Sequence, residues 1–378
     1  VESNFELVKI TKTITDMMDD YILVCNTEGK IVFANRMMQA CLGYQEAELE
    51  HKRFGDIIES RHRDKAKDFI ASAAAEPAGW ERFLLNGKQG VVSLHLKFLL
   101  KDDYIYIYGN EKYIEYERIR KKLDVEIANA VKIHKRTLPE SLPDTERISF
   151  ASLYIPAEEL GGDIFDAFKV DHGLLNDYFE QYVCYIADVS GHGLDSAMLA
   201  IFVKDTINSF FRLKHIPGQL LSPQEIMDFF VEQYLKEGYP EEYLVCLFMV
   251  VFDLKTKELT YCNAGFHICP LLIKDEEHII ELNNGGLPVS TGIFPDLLKY
   301  GDSCHHLSPA MTLFIMSDGL PEQQSENGLY QERLKKLITE IYCLKPAQIV
   351  EEIHKDFTSF LSYEKIRDDI TLIAVKLS

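Results

Sequence analysis

Four aspartates stand where apolar segments of the chain begin or end, and their placement suggests a chemistry. Asp188 closes an apolar run in "VCYIADVSGHGLDSAM" and Asp318 closes another in "TLFIMSDGLPEQ". Asp368 and Asp369 open "RDDITLIAVKL", and Asp163 follows two glycines in "PAEELGGDIFDAF". Glycines allow close backbone approach, so carboxylates at strand ends can converge on one rim of a sheet. No Lys or Arg adjoins Asp163, Asp188 or Asp318, and Arg367 is the near basic neighbour of Asp368. Converging carboxylates without counter-charge repel and are driven toward protonation unless divalent cations neutralise them. An all-oxygen ligand set selects Mg2+ or Mn2+ over Zn2+, and two such ions can bracket a water that attacks phosphorus in line.

The elements that must position these acids are legible as hydrophobic patterns. From about residue 142 to 378, strands are predicted over 148–154, 182–188, 243–253, 258–263, 267–273, 311–316 and 370–377, and helices over 195–213, 223–237, 329–341 and 346–361. Hairpins outnumber strand-helix-strand units, which predicts mainly antiparallel sheet with helices outside. Upstream, residues 111–138 contain no Gly or Pro and stop at Pro139, which predicts one long helix. Its apolar residues Tyr116, Ile119, Leu123, Ile127 and Ala130 fall on one face. That stripe suits either packing on its own domain or a dimeric, coiled-coil-like linker carrying a signal between two domains.

Residues 11–110 pattern as a small α+β unit. A hairpin over 21–34 turns at Thr27-Glu28-Gly29-Lys30, helical stretches follow near 36–42, 46–48, 54–58 and 61–75, and strands close it at 80–85, 90–100 and 104–109. The run "ILVCNTEGKIVFANRMMQACLGYQEAEL" with these closing strands resembles a PAS sensor domain. The expected division is therefore 11–110 sensor, 111–138 helical linker and 139–378 catalytic domain.

Composition narrows the partners. The chain has 378 residues, with 60 Asp plus Glu against 40 Lys plus Arg and a formal charge of -20, so nucleic acid and anionic membranes are disfavoured. The longest apolar run, 243–252, is about half of the roughly 20 residues a spanning helix needs, and no membrane span is expected. Eight cysteines without CxxC pairs suit reduced, packed thiols and a cytoplasmic location. No signal peptide is recognised, and a chain starting at Val1 leaves room for a further N-terminal piece.

Six ordered blocks, "PAEELGGDIFD", "ADVSGHGLDSAMLA", "YCNAGFHICPLLI", "GGLPVSTGIF", "LFIMSDGLPEQ" and "RDDITLIAV", resemble the bacterial branch of the metal-dependent PPM/PP2C serine/threonine phosphatases. Within it, the chain is most similar to the SpoIIE sporulation phosphatase and the stress phosphatases that control sigma factors. The resemblance implies an α+β fold whose catalytic part is a β-sandwich of two antiparallel sheets flanked by helices, with two Mn2+ or Mg2+ ions between them. It implies Asp188 as the carboxylate shared by both ions, the Val189 carbonyl and Asp163 as further ligands, and Asp318 and Asp368 as ligands of the second ion. The nucleophile would be a water held by the ions, with Asp188 and Asp163 the catalytic carboxylates. Asp369 would support the site rather than ligate, and Gly162, Gly191, Gly193 and Gly319 would shape turns. The implied substrate is a phosphorylated STAS-type anti-sigma-factor antagonist, with a homodimer through the linker and an upstream activator as further partners.

Some residues depart from the wider family. No Arg near "AEELGGD" offers itself to the substrate phosphate, His192 lies four residues after Asp188 and is expected to be loop-structural, and Phe266-His267 replaces the usual His-Asn. Asp166 is expected in a turn or a solvated role. Cys262, His267 and Cys269 lack a fourth zinc ligand and fall in apolar strand candidates, so buried thiols are expected. Cys25, Met37, Met38 and Cys41 are expected in a core, and Arg61-His62-Arg63 at a solvated helix start. Two rival readings carry different chemistry: a sensor and binding module with a degenerate phosphatase domain, and a diguanylate cyclase, because "GGDIF" resembles GGDEF but puts Ile164 where that chemistry needs an acid.

Overall fold

Apolar residues at every second position of the first five strands place one face of a sheet on a core. In the computed structural model, which describes residues 12–72, 79–110, 113–191, 193–326, 328–362 and 364–378, the chain divides into compact units Val1–Glu126 and Ile127–Ser378. The first unit is an antiparallel sheet of order β2-β1-β5-β4-β3, made of β1 (Tyr21–Asn26), β2 (Ile31–Ala34), β3 (Glu81–Gly87), β4 (Gly90–Lys101) and β5 (Tyr104–Asn110). Leu23, Cys25, Phe83, Leu94, Leu96, Phe98 and Ile107 are buried on its inner face. Four helices join them in that core: Arg36–Leu42, Glu46–Leu49, Phe54–Ile57 and Arg63–Ser72, with Met38, Leu42, Leu49, Phe54 and Ala66. Asn35 caps the first, its side chain accepting from the Met38 N–H, and Gly43 closes it in the left-handed region. Met38 and Cys25 are core residues as expected, and Met37 and Cys41 pack against the same cluster.

A single helix, Tyr113–Thr137, runs across the division between the units. Tyr116, Ile119 and Leu123 of the apolar stripe are exposed on it, while Ile127 and Ala130 are half-buried.

The second unit stacks two five-stranded antiparallel sheets. One has the order β13-β10-β9-β8-β7 and the other β12-β11-β14-β17-β6. The strands are β6 (Ile148–Ile155), β7 (Ile164–Lys169), β8 (Gln181–Val189), β9 (Val245–Asp253), β10 (Glu258–Ala264), β11 (Leu271–Asp275), β12 (His278–Glu281), β13 (Ser303–His306), β14 (Thr312–Met316), β15 (Gln324–Ser325), β16 (Gly328–Leu329) and β17 (Ile370–Leu377); β15 and β16 form a separate small hairpin. Tyr182, Cys184, Ile186, Phe248 and Val250 from the first sheet meet Leu313, Ile315, Ile373 and Val375 from the second. The opposite faces are covered too. Val183, Tyr185 and Met249 pack under helices Leu194–Leu213 and Pro223–Glu237, and Phe314, Leu372 and Ala374 pack under helices Gln331–Ile341 and Pro346–Leu361. Burial on both faces is why the central strands read as unbroken apolar runs instead of alternating ones.

Candidate metal centre

Strand register brings the aspartates to one end of the sandwich. In the first sheet Ile164 of β7 pairs with Ala187 of β8, so the next residues outward are Asp163 and Asp188. In the second sheet Met316 of β14 pairs with Leu372 of β17, and the Ser317 N–H donates to the Thr371 carbonyl at 3.0 Å. Asp318 and the Asp368-Asp369 pair therefore lie at the same end of adjacent strands. Side-chain bonds tie the two sheets there, among them the Thr371 hydroxyl donating to Asp163 Oδ2 at 2.5 Å.

Asp369 builds the turn that presents Asp163. Its Oδ1 accepts from the Ala157 N–H at 2.8 Å, and its Oδ2 accepts from the Gly162 and Asp163 N–H groups at 2.5 and 3.3 Å. It is 4 % exposed, so these bonds replace water that cannot reach it. The Ser317 hydroxyl donates to the Asp369 carbonyl at 3.1 Å and accepts from the Thr371 N–H at 2.9 Å, which fixes the start of β17 against the end of β14. Two glycines make this packing possible. A Cβ at Gly319 would overlap the Asp369 carbonyl, and one at Gly162 would stand 2.6 Å from the Val189 carbonyl oxygen, which therefore sits against the turn bearing Asp163.

The electrostatics centre on Asp188. Burial raises its pKa to about 7, helped by the charges of Asp318, Asp368 and Asp369 and opposed by His267. Asp163, 1 % exposed, is pushed well above the usual carboxylate range by burial and then by Asp188, against the stabilising Thr371 and Ser317 hydroxyls. Asp318 is raised as well, chiefly by burial, with His267 opposing. The largest charge effects on these three groups come from neighbouring carboxylates and from His267. An all-oxygen set of mutually repelling carboxylates has the donor chemistry that Mg2+ or Mn2+ takes.

The four predicted carboxylates do not close into a single tight ligand set. Among the described residues, the group whose ligand atoms lie within 4.8 Å of one another is His267, Asp318 and Glu322. The His267 Nε2 stands 3.3 Å from Glu322 Oε1 and 3.9 Å from Asp318 Oδ2. Asp368 is exposed, and its Oδ1 accepts from the Asp369 N–H at 2.8 Å. The three form no zinc cluster: Cys262 is buried in the core as expected, but Cys269 is only half-buried, its Sγ facing the His267 carbonyl at 3.9 Å, and His267 is exposed, both in the segment between β10 and β11. His192 lies outside the described residues, and its neighbours Gly191 and Gly193 both take positive φ.

Asp166 corrects an expectation. It is neither in a turn nor solvated: it lies within β7, on the face opposite Asp163, and pairs with Lys204 at 2.7 Å, both side chains 16 % exposed. Lys204 also donates to the Thr137 carbonyl at the end of the long helix. The other residues absent from the sequence reading are Thr371, Ser317, Glu322 and Cys246; Cys246 pairs with Asp188 in register and its thiol is held up to about 12 by burial.

Comparison with known proteins agrees with this architecture. A model of the stage II sporulation protein E (SpoIIE) family matches residues 180–378, just over half of the chain, and a PAS domain model matches 19–114. Over 259 residues the chain is 24% identical to the phosphoserine phosphatase RsbU of Bacillus subtilis, covering 68% of this chain and 72% of that protein. It is 24% identical over 218 residues to the phosphoserine phosphatase RsbP of the same organism, spanning 56% of this chain and about half, 49%, of that one. The SiaA-PP2C domain of Pseudomonas aeruginosa shares the fold with a TM-score of 0.57 at 18% identity, covering 69% of this chain and 99% of that domain. Among the described residues no helix is long and apolar enough to cross a membrane. Sandwich, ordered aspartates and family match converge: the chain belongs to the SpoIIE family, with a PAS domain preceding a PP2C-type phosphatase domain.

Proposed function

We propose that the chain is a divalent-metal-dependent protein phosphatase acting on phosphoserine or phosphothreonine. The observation that carries this reading is the convergence of Asp163, Asp188 and Asp318 at one end of the sandwich, where burial and neighbouring carboxylates raise all three. Asp163, Asp188, Asp318, Asp368 and the Val189 carbonyl would hold two Mn2+ or Mg2+ ions. Bound there, the ions would neutralise the carboxylates and supply Lewis-acid activation of water and of a phosphoryl oxygen. Around them Asp369 fixes the turn of Asp163, Thr371 orients its carboxylate, and Gly162 and Gly319 let the backbone close up. The Gly161-Gly162-Asp163 segment serves this sandwich, which leaves the cyclase reading without a fold. Phosphate release from a phosphoserine peptide is expected with Mn2+ and should fall to background with a chelator. A chain that releases no phosphate and shows no Mn2+ binding by calorimetry would instead be a degenerate binding module.

The resemblance to the branch that controls sigma factors supports a phosphorylated STAS-type anti-sigma-factor antagonist as the substrate, in the cytoplasm. The exposed stripe Tyr116, Ile119 and Leu123 supports a homodimer through the linker, with the PAS domain and an upstream activator setting activity. Leu123→Glu is expected to convert a dimer to a monomer in sedimentation; an unchanged sedimentation coefficient would remove the linker from the interface.

A further inference from the structure

A groove of about 190 Å³ lies in the second unit between the sheet of β11 and β14 and the helix Gln331–Ile341. The helix contributes Gln331, Leu334, Lys335 and Ile338, which fall at i, i+3, i+4 and i+7 and so share one face. Met316, Leu334 and Ile338 are buried and make an apolar floor, with Ile268 and Leu271 half-buried at its side. A free small-molecule ligand takes roughly 300 Å³ or more, so the groove has room for one large side chain of a bigger partner.

The segment that presents Asp318 also builds this groove. Met316 ends β14 two positions before Asp318 and Pro321 follows three positions after it, and both line the groove. His267 joins the two places: it belongs to the lining, and its Nε2 stands 3.9 Å from Asp318 Oδ2. Beside His267, the charged residues of the lining are Lys335 and Glu281, both exposed and of opposite sign. The groove therefore selects by apolar contact instead of by charge.

We propose that the groove seats a large apolar side chain of the phosphoprotein substrate, Leu, Ile, Met or Phe, two residues from the phosphoserine. An extended segment advances about 3.3 Å per residue and returns to the same face at every second one. That position is roughly 7 Å from the phosphorylated residue and on its face, which matches a groove separated from Asp318 by the His267 ring. The proposal rests on the phosphatase reading and adds to it a feature of the substrate.

Turnover by the full chain with Mn2+ tests it, using p-nitrophenyl phosphate and alanine-based phosphoserine peptides that carry Leu, Glu or Ala two residues before or two residues after the phosphoserine. Leu is expected to raise kcat/KM by about tenfold or more over Ala at one of the two positions. The gain should lie in KM with kcat unchanged, because a side chain held away from the reacting atoms is bound equally before and during the reaction. Cys269→Trp, which fills the groove, should remove the preference and leave p-nitrophenyl phosphate turnover unchanged. If that variant fails to fold, Lys335→Trp, an exposed change on the helix side of the lining, makes the same test. Equal kcat/KM for Leu and Ala at both positions, a preference carried in kcat alone, Glu favoured over Leu, or a preference that survives the groove-filling change would each overturn the assignment. p-Nitrophenyl phosphate turned over with no leucine preference, or with no peptide turned over, removes the groove alone; no turnover of any of these substrates removes the phosphatase reading and the groove with it.

Discussion

Asp188→Asn is expected to lower phosphate release with saturating Mn2+ by on the order of 10³-fold or more, because it removes the carboxylate on which the others are coupled. The same change should make the metal-free protein more stable at pH 8. A carboxyl whose pKa is raised on folding holds its proton more tightly folded than unfolded. Its favourable contribution is therefore complete below the ordinary carboxylate pKa and is lost as pH rises through the folded value. For Asp188 that window runs from about 4 to about 7, and Asp163 and Asp318 are shifted in the same direction. The shift of Asp188 corresponds to a stability loss on the order of 4 kcal/mol at most. In chelator, the melting temperature of the native sequence should fall between pH 5 and 8, and Mn2+ or Mg2+ should restore it at the upper end. Asp188→Asn should flatten that fall and remove most of the metal-dependent rise. A variant that keeps turnover, or a metal-free native protein that grows more stable from pH 5 to 8, would sink the metal-centre reading.

Asp369→Ala is expected to have the largest effect on stability. Removing this carboxylate strands the buried N–H groups of Gly162 and, at longer range, Asp163, together with the part-buried N–H of Ala157. Each orphaned buried donor costs about 1–3 kcal/mol, so the three total roughly 3–9 kcal/mol. For a unit of this size that lowers the melting temperature by about 10 °C or more. Activity should fall further than unfolding explains, since the turn bearing Asp163 loses its anchor; Mn2+ affinity measured well below the melting temperature separates the two effects. Asp369→Asn, which keeps one acceptor oxygen but turns an amide donor toward another donor, should lie between. Unchanged melting and Mn2+ affinity in the alanine variant would show that the turn holds its shape without Asp369.

Most strands were legible because the central ones are buried on both faces. The runs around 182–188 and 243–253 read as apolar strands, and the observed β8 (Gln181–Val189) slightly outreaches the first while β9 (Val245–Asp253) starts inside the second. Apart from the two-residue strands of the β15–β16 hairpin, the strands that escaped notice, β7, β12 and β13, all lie at sheet edges. Edge strands are short or polar on one side, so "HIIE" and "SCHH" lack the pattern that betrays a core strand. The segment 267–273 reads as strand throughout, yet β11 begins only at Leu271. Before it, Asn263 accepts the Phe266 N–H and donates to the Phe266 carbonyl, closing a turn that hydrophobicity does not reveal.

The candidate site was readable in its acids and opaque in its supports. Aspartates next to glycines at the ends of apolar runs stand out in a linear sequence. Thr371 does not, because its partner Asp163 lies 208 positions away, and Lys204 meets Asp166 and Thr137 only through the packing of a helix on the sheet. Asp166 was misplaced for the same reason: its partner is not the nearby Lys169 but Lys204, far along the chain.

The adjacent pair Asp368 and Asp369 makes strand alignment a matter of identity. One acid is exposed and the other buried because β17 pairs with β6 from Ile370–Ile155 to Leu377–Ile148 without a break. A slip of one residue would exchange them, sending every side chain of the strand to the opposite face. The buried acid would then lack its three backbone donors and the exposed one would inherit them, a swap between chemically identical groups that composition cannot detect. Proofreading therefore falls to the neighbours: Ser317, bonded to both the Asp369 carbonyl and the Thr371 N–H, accepts only one alignment of the last strand.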